Sequence, residues 1–139
     1  MFRTIVVGTN WSDTADVAFA KAVELARLGG ASLHVVSAAG AGPAPVSVSG
    51  GGPYYERPDF QADRALEDAL ARLGVTGELE VQQHVANADP AEAILAVARE
   101  TDADLIVVGN KGMHRRVLSS IPNSVSHNAS CDVLIVQTT

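Results

Sequence analysis

Residues 104–120 read DLIVVGNKGMHRRVLSS, and the arrangement of the rest of the chain follows from this stretch. An apolar run, Leu105-Ile106-Val107-Val108, stops at Gly109-Asn110-Lys111-Gly112, and four potentially cationic side chains (Lys111, His114, Arg115, Arg116) lie within six residues of one another just after it. A buried strand that empties into a glycine loop is a place to hold an anion. Two glycines three apart let backbone N–H groups converge on a phosphate, and nearby cationic side chains add charge. Taken alone, Gly109-Asn110-Lys111-Gly112 also fits an ordinary tight turn from strand to loop, so its surroundings must decide between the two.

Outward from that stretch the chain alternates strand and helix. Ile5-Val6-Val7-Gly8 is a short apolar run ending in glycine, and Ser12-Asp13 offers an N-cap with an acidic first turn for a helix reaching about Leu28. Ala15, Phe19, Ala22, Val23 and Ala26 recur at helical spacing, and Gly29-Gly30 stop the helix before a second strand, Ser32–Ala38. Residues 40–58 are rich in Gly, Pro and Ser without periodicity, which predicts a long flexible loop. Ala62, Ala65, Leu66, Ala69, Leu70 and Leu73 make a second amphipathic helix stopped by Gly74. Leu79, Val81, Gln83 and Val85 alternate with Glu78, Glu80, Gln82 and His84, as in a half-exposed edge strand, which makes His84 a surface residue.

Asp89-Pro90-Ala91-Glu92 starts the third helix, with Asp89 as N-cap, Pro90 at the first helical position and Glu92 three residues past the cap; the helix runs to about Thr101. Residues 105–108 form the fourth strand, 122–129 a short polar helix, and 133–136 the last strand. The order βαβαβαβαβ predicts one three-layer α/β domain, a Rossmann-like five-stranded parallel sheet in the order 3-2-1-4-5 with four helices. Strands one, two, four and five have the apolar runs expected of a sheet interior. The direction of winding reverses between strands one and four, so their carboxyl ends frame the ligand crevice. The loops leaving those strands are Thr9-Asn10-Trp11-Ser12 and residues 109–120, which puts the anion signal where topology predicts a ligand.

Composition limits the class. The 139 residues are 47% hydrophobic and 19% charged, an ordinary balance for one globular domain. No apolar run approaches the roughly 20 residues needed to cross a bilayer, and no signal peptide precedes the first strand, so a cytoplasmic protein is expected. A net charge of -6 argues against nucleic acid or an anionic membrane as partner. The single cysteine, Cys131, has no partner for a disulfide or a zinc site and reads as a buried, inert thiol. The four histidines show no metal-ligand spacing; His34 reads as a satisfied histidine within a central strand, and His127 as a surface residue.

IVVGTNWSDTADVAFAKAVELA near the start, SLHVVSA in the second strand, ADPAEAILAVA in the third helix, DLIVVGNKGM, and SSIPNSVSHNASCDVLIV at the end together resemble a universal stress protein over nearly the whole chain, 1–139. The resemblance implies a stress-response module whose nucleotide-binding members carry a phosphate loop G-x2-G-x9-G-S/T, an acidic residue after the first strand that contacts the nucleoside, and second-strand backbone that meets adenine. Carried onto this chain, Gly109 and Gly112 keep the first half of the loop and Lys111 sits near the phosphates. Ser119 falls where the second-half glycine belongs, Ser120 on the Ser/Thr, and Asn10 on the aspartate. The backbone of Val35 falls at the adenine-facing position, with Thr9 and Ile121 in the flanking loops and Val108 at the end of the fourth strand. Only six residues separate Gly112 from Ser119, so the loop closes more tightly than in the family pattern. Ser119 adds a Cβ where the family brings phosphate close to backbone, and Asn10 loses the charge while still able to accept a hydrogen bond. Arg115 and Arg116 read either as phosphate ligands that make up for the shortened loop or as solvated surface charge. Trp11 reads either as a lid that stacks on a base or as an anchor for its loop.

The implied ligand is ATP or another adenine nucleotide, with or without Mg2+, and the implied assembly is a homodimer through the C-terminal strand, with unidentified protein partners. No catalytic residues and no metal ligands are expected: Ser12 reads as a helix cap rather than a nucleophile, and any ATP hydrolysis should be slow. The alternative is an interaction protein of the same fold that has lost nucleotide binding and acts through its dimer surface.

Overall fold

The computed structural model describes residues 1–38, 60–110 and 121–138. Five strands, β1 (Thr4–Gly8), β2 (Ser32–Ala38), β3 (Val81–Ala86), β4 (Leu105–Gly109) and β5 (Asp132–Val136), form one sheet in the order β3-β2-β1-β4-β5. Every pairing is parallel, with Val6 opposite both His34 and Ile106 in the middle of the sheet. The helices are α1 (Asp13–Gly29), α2 (Phe60–Arg72), α3 (Pro90–Thr101) and α4 (Ile121–Asn128).

Alternate residues of the central strands feed two separate cores. Ile5, Val7, Leu33, Val35, Leu105 and Val107 point to the side covered by α1 and α2, where Phe19, Val23 and Ala69 meet them. Val6, Val36, Ile106 and Val108 point to the other side, under α3 and α4, where Ile94, Val97 and Val125 close the layer. This division follows from chain direction. Right-handed crossovers moving from β1 to β2 to β3 place α1 and α2 on one face, and the reversal from β3 back to β4 places α3 and α4 on the opposite one.

Local signals act as the sequence predicts. Ser12 Oγ accepts the Ala15 N–H at 3.2 Å and starts α1, and Gly30 ends it with a left-handed φ of 65°. Asp89 Oδ2 accepts the Glu92 N–H at 3.2 Å, and Pro90 takes the first helical position of α3. Asp16 on α1 reaches Arg72 on α2 at 3.3 Å, and Asp63 on α2 accepts the Gln83 amide of β3 at 2.6 Å.

Burial differs from expectation at several positions. His84 is not a surface residue: it is 5% exposed, and its Nε2 lies 2.9 Å from His34 Nδ1. The outward face of the expected alternation holds only at the start of β3: Gln82 is exposed, whereas His84 and Ala86 on the same face are buried on the side that α3 covers. β5 is the other edge of the sheet, as the order 3-2-1-4-5 requires, and despite its apolar run only Val136 is buried in it. Cys131 is a free thiol, half-buried rather than buried. The expected loop at 40–58 lies outside the described residues. No described helix is long and apolar enough to cross a membrane.

Candidate functional site

β1 and β4 lie side by side, and beyond their carboxyl ends the structure opens a cleft of about 260 Å3. Both strands end in glycine, and an added Cβ at either would press on a side chain of the cleft wall. A Cβ on Gly8 would stand 2.5 Å from Ile94 Cδ1, and one on Gly109 would stand 2.8 Å from Thr138 Cγ2. Backbone is therefore exposed to the cleft where any larger residue would push its wall aside.

The β1–α1 loop is tied into a fixed shape by its own side chains. Thr9 Oγ1 accepts the Trp11 N–H at 2.9 Å, Asn10 Oδ1 accepts the Ser12 N–H at 3.0 Å, and the Thr9 N–H reaches Val36 O on β2 at 2.9 Å. These turns force Trp11 into the left-handed region, φ 61°, a conformation that costs a bulky residue about 1–3 kcal/mol. The indole packs edge-on against Phe19, with centroids 5.6 Å apart. Trp11 thus anchors the loop to the α1-side core, and the cleft wall is made by its neighbours Thr9, Asn10 and Ser12.

Three helices contribute their first turns to the rim: Thr14 and Ala15 from α1, Pro90 and Ile94 from α3, Ile121 and Pro122 from α4. Helix N-termini favour anions, but these three are not equivalent. Asp13 and Asp16 occupy the first turn of α1, and Asp89 and Glu92 the start of α3. Of the three helix N-termini at the cleft, that of α4 is the one without an acid in its first turn. Val36, Ala38, Pro90, Ile94 and Val108 give the cleft an apolar lining. Among the described residues lining it there is no Asp, Glu, His, Lys or Arg.

The groups with displaced pKa values lie elsewhere. The Arg3 and Thr4 N–H groups hold the Asp104 carboxyl below the usual range at the opposite end of the sheet. Glu78 is lowered to about 2, chiefly by the Thr76 N–H, then by its own backbone N–H and by Arg27. Burial, then the charges of Asp132 and Asp104, push the Cys131 thiol up. Catalytic sites are where tuned acids and bases collect, and none of these three lines the cleft.

Of the residues expected at a ligand site, Thr9, Asn10, Val108, Gly109 and Ile121 are brought together around the cleft. The Val35 side chain turns into the α1-side core, and Val36 is the β2 residue in the wall, with Ala38 beyond it. Lys111, Gly112, Arg115, Ser119 and Ser120 lie outside the described residues. Sequence reasoning missed Asn110 and Thr138. Asn110 Oδ1 accepts both the Thr138 N–H (2.9 Å) and the Thr138 hydroxyl (3.0 Å), which holds Thr138 in the cleft wall.

The universal stress protein family model matches residues 1–137. The chain belongs to that family. It is 34% identical over 151 aligned positions to a universal stress protein of Mycobacterium tuberculosis, spanning 99% of this chain and 98% of that one. It is 35% identical to one from Thermus aquaticus, spanning 99% and 100%. Among solved structures, a universal stress protein in complex with cAMP superposes with a TM-score of 0.77 at 29% identity, covering 99% of both chains. The Archaeoglobus fulgidus universal stress protein in complex with dAMP superposes at 0.64 and 26% identity, covering 97% of this chain and 98% of that one.

Proposed function

We propose that this universal stress protein binds an adenine nucleotide in the cleft between β1 and β4 and acts as a ligand-loaded stress-response module rather than an enzyme. The observation that carries this reading is the cleft itself, an apolar slot at the chain reversal whose one acid-free helix N-terminus is that of α4. Val36, Ala38, Pro90 and Ile94 offer the surface a base needs. Thr9, Asn10 and Gly109 offer hydrogen bonds to a sugar, and Ile121 opens the helix toward which phosphate is drawn. Lys111, Gly112, Arg115, Ser119 and Ser120 complete the phosphate side in this reading, their cationic members supplying charge that the described wall lacks. Relatives solved with cAMP and dAMP support the same ligand class.

The residues present fit the nucleotide better than its metal. No carboxylate lines the described cleft to hold Mg2+, and residues 111–120 contain none in sequence. ATP is therefore a ligand here, with hydrolysis slow or absent, since no general base stands beside it among the described residues. The protein acts in the cytoplasm as a homodimer through β5, where Ile135 is left 36% exposed on the sheet edge.

Thermal unfolding with and without ATP, AMP and cAMP tests the reading, after the preparation has been checked for bound nucleotide by mass. A ligand at about 100 times its dissociation constant adds roughly 2.7 kcal/mol, a clear rise in Tm. The rise should vanish in Gly112→Ala and shrink in Lys111→Ala. No rise with any nucleotide, and none carried through purification, would overturn the proposal in favour of a partner-binding protein of the same fold.

A further inference from the structure

Thr138 belongs to no strand or helix, yet it stands in the cleft wall, and its hydrogen bonding gives it a fixed polarity. Asn110 Oδ1 has no proton to give, so the 3.0 Å contact is donated by the Thr138 hydroxyl. Asn110 is itself held, its N–H on Val136 O at 3.0 Å and its amide on Gln137 Oε1 at 3.3 Å. The Thr138 methyl is seated where a Gly109 side chain would have been. With its one proton committed, the Thr138 hydroxyl has only lone pairs left to offer a ligand. Thr9, at the end of β1, is the reverse case: its Oγ1 accepts the Trp11 N–H and its proton remains to give.

We propose that Thr138 determines specificity in the cleft by accepting a hydrogen bond from a sugar hydroxyl of the bound nucleotide, selecting ribosides over a deoxy form. The inference rests on the nucleotide reading above and names how that site tells one sugar from another. An acceptor-only oxygen repels phosphate oxygens, which keeps the phosphate toward α4. The base is assigned to the apolar side formed by Val36, Ala38 and Ile94 from β2 and α3, whereas Thr138 follows β5 and sits over Gly109 at the end of β4. Between the two, the ligand donor left to meet Thr138 is a sugar hydroxyl.

Calorimetric titration of AMP, 2′-deoxy-AMP and 3′-deoxy-AMP into the unaltered protein, Thr138→Val and Thr138→Ser tests this. Valine keeps the shape and the backbone N–H to Asn110 while removing the hydroxyl; serine keeps the hydroxyl. The unaltered protein should bind AMP about three- to tenfold more tightly than one of the two deoxy forms, the worth of one neutral hydrogen bond. Thr138→Val should bring AMP down to the level of that deoxy form, whose own affinity changes by less than about twofold, and Thr138→Ser should restore the preference. If Thr138→Val weakens all three nucleotides equally, or leaves the preference intact, the role of Thr138 is overturned while the nucleotide reading stands. If the unaltered protein binds none of them, both fail together. Thr138→Ala gives the same comparison should the valine variant fold poorly.

Discussion

The two ends of β1 and β4 are built differently. At the amino end a charge closes the sheet: Asp104 Oδ2 accepts the Arg3 and Thr4 N–H groups at 2.6 and 3.0 Å, and the Asp104 N–H returns to Thr4 O at 2.9 Å. At the carboxyl end the corresponding work is done by neutral groups, Thr9 and Asn10 after β1 and Asn110 after β4, and the strands stop in glycine. A carboxylate is a strong strand clamp where nothing else must approach. At the other end amides and hydroxyls hold the loops, and the space between them stays open.

The contrast can be broken most severely from beneath the open end. Phe19→Ala removes the ring on which Trp11 rests and leaves a cavity, so urea unfolding should show a loss of about 3–5 kcal/mol. Fluorescence of the sole tryptophan should shift toward that of a solvated indole. Gly109→Ala comes next: its Cβ meets Thr138 at 2.8 Å, and such overpacking costs about 1–3 kcal/mol with a larger loss in nucleotide affinity. A variant with unchanged stability and affinity would show that the glycine is not required there. Ser12→Ala removes the N-cap of α1 and should cost about 1 kcal/mol in the same unfolding measurement.

The amino end should instead respond to pH. The folded Asp104 carboxyl is lowered, so its contribution is complete above the unfolded value near 4 and drains away as pH falls through the folded value. Glu78, lowered to about 2, behaves in the same sense. Asp104→Asn should therefore flatten the decline of the urea midpoint as pH falls below about 4, with nucleotide affinity at pH 7 unchanged. A variant that declines as steeply as the parent would remove Asp104 from the account.

The sheet order was legible because each crossover carried its own punctuation: Ser12 and Asp89 as caps, Gly30 and Gly74 as stops, and apolar runs for β1, β2, β4 and β5. What burial each strand attains was less so. A period of two in β3 assigns His84 to solvent, and only the placement of α3 across that edge reveals that it is buried against His34. β5 shows the converse, an apolar run whose edge position leaves much of it exposed. For the cleft, Thr9, Asn10 and Gly109 were visible as loops at a predicted switch point. The Asn110–Thr138 pair was not, because 28 positions separate residues whose meeting depends on β4 and β5 being neighbours. Which β2 side chains face the cleft turns on strand parity: Val36 and Ala38 do, Val35 does not, and a shift of one residue changes the face.

The reversal of the chain between β1 and β4 has a consequence for descent. The crevice is produced by connectivity, since α1 and α3 leave for opposite faces whatever side chains line the gap between them. The sheet itself does not depend on which side chains face that gap. Lineages built on this framework are free to change their ligand, or to abandon it, while keeping the same architecture.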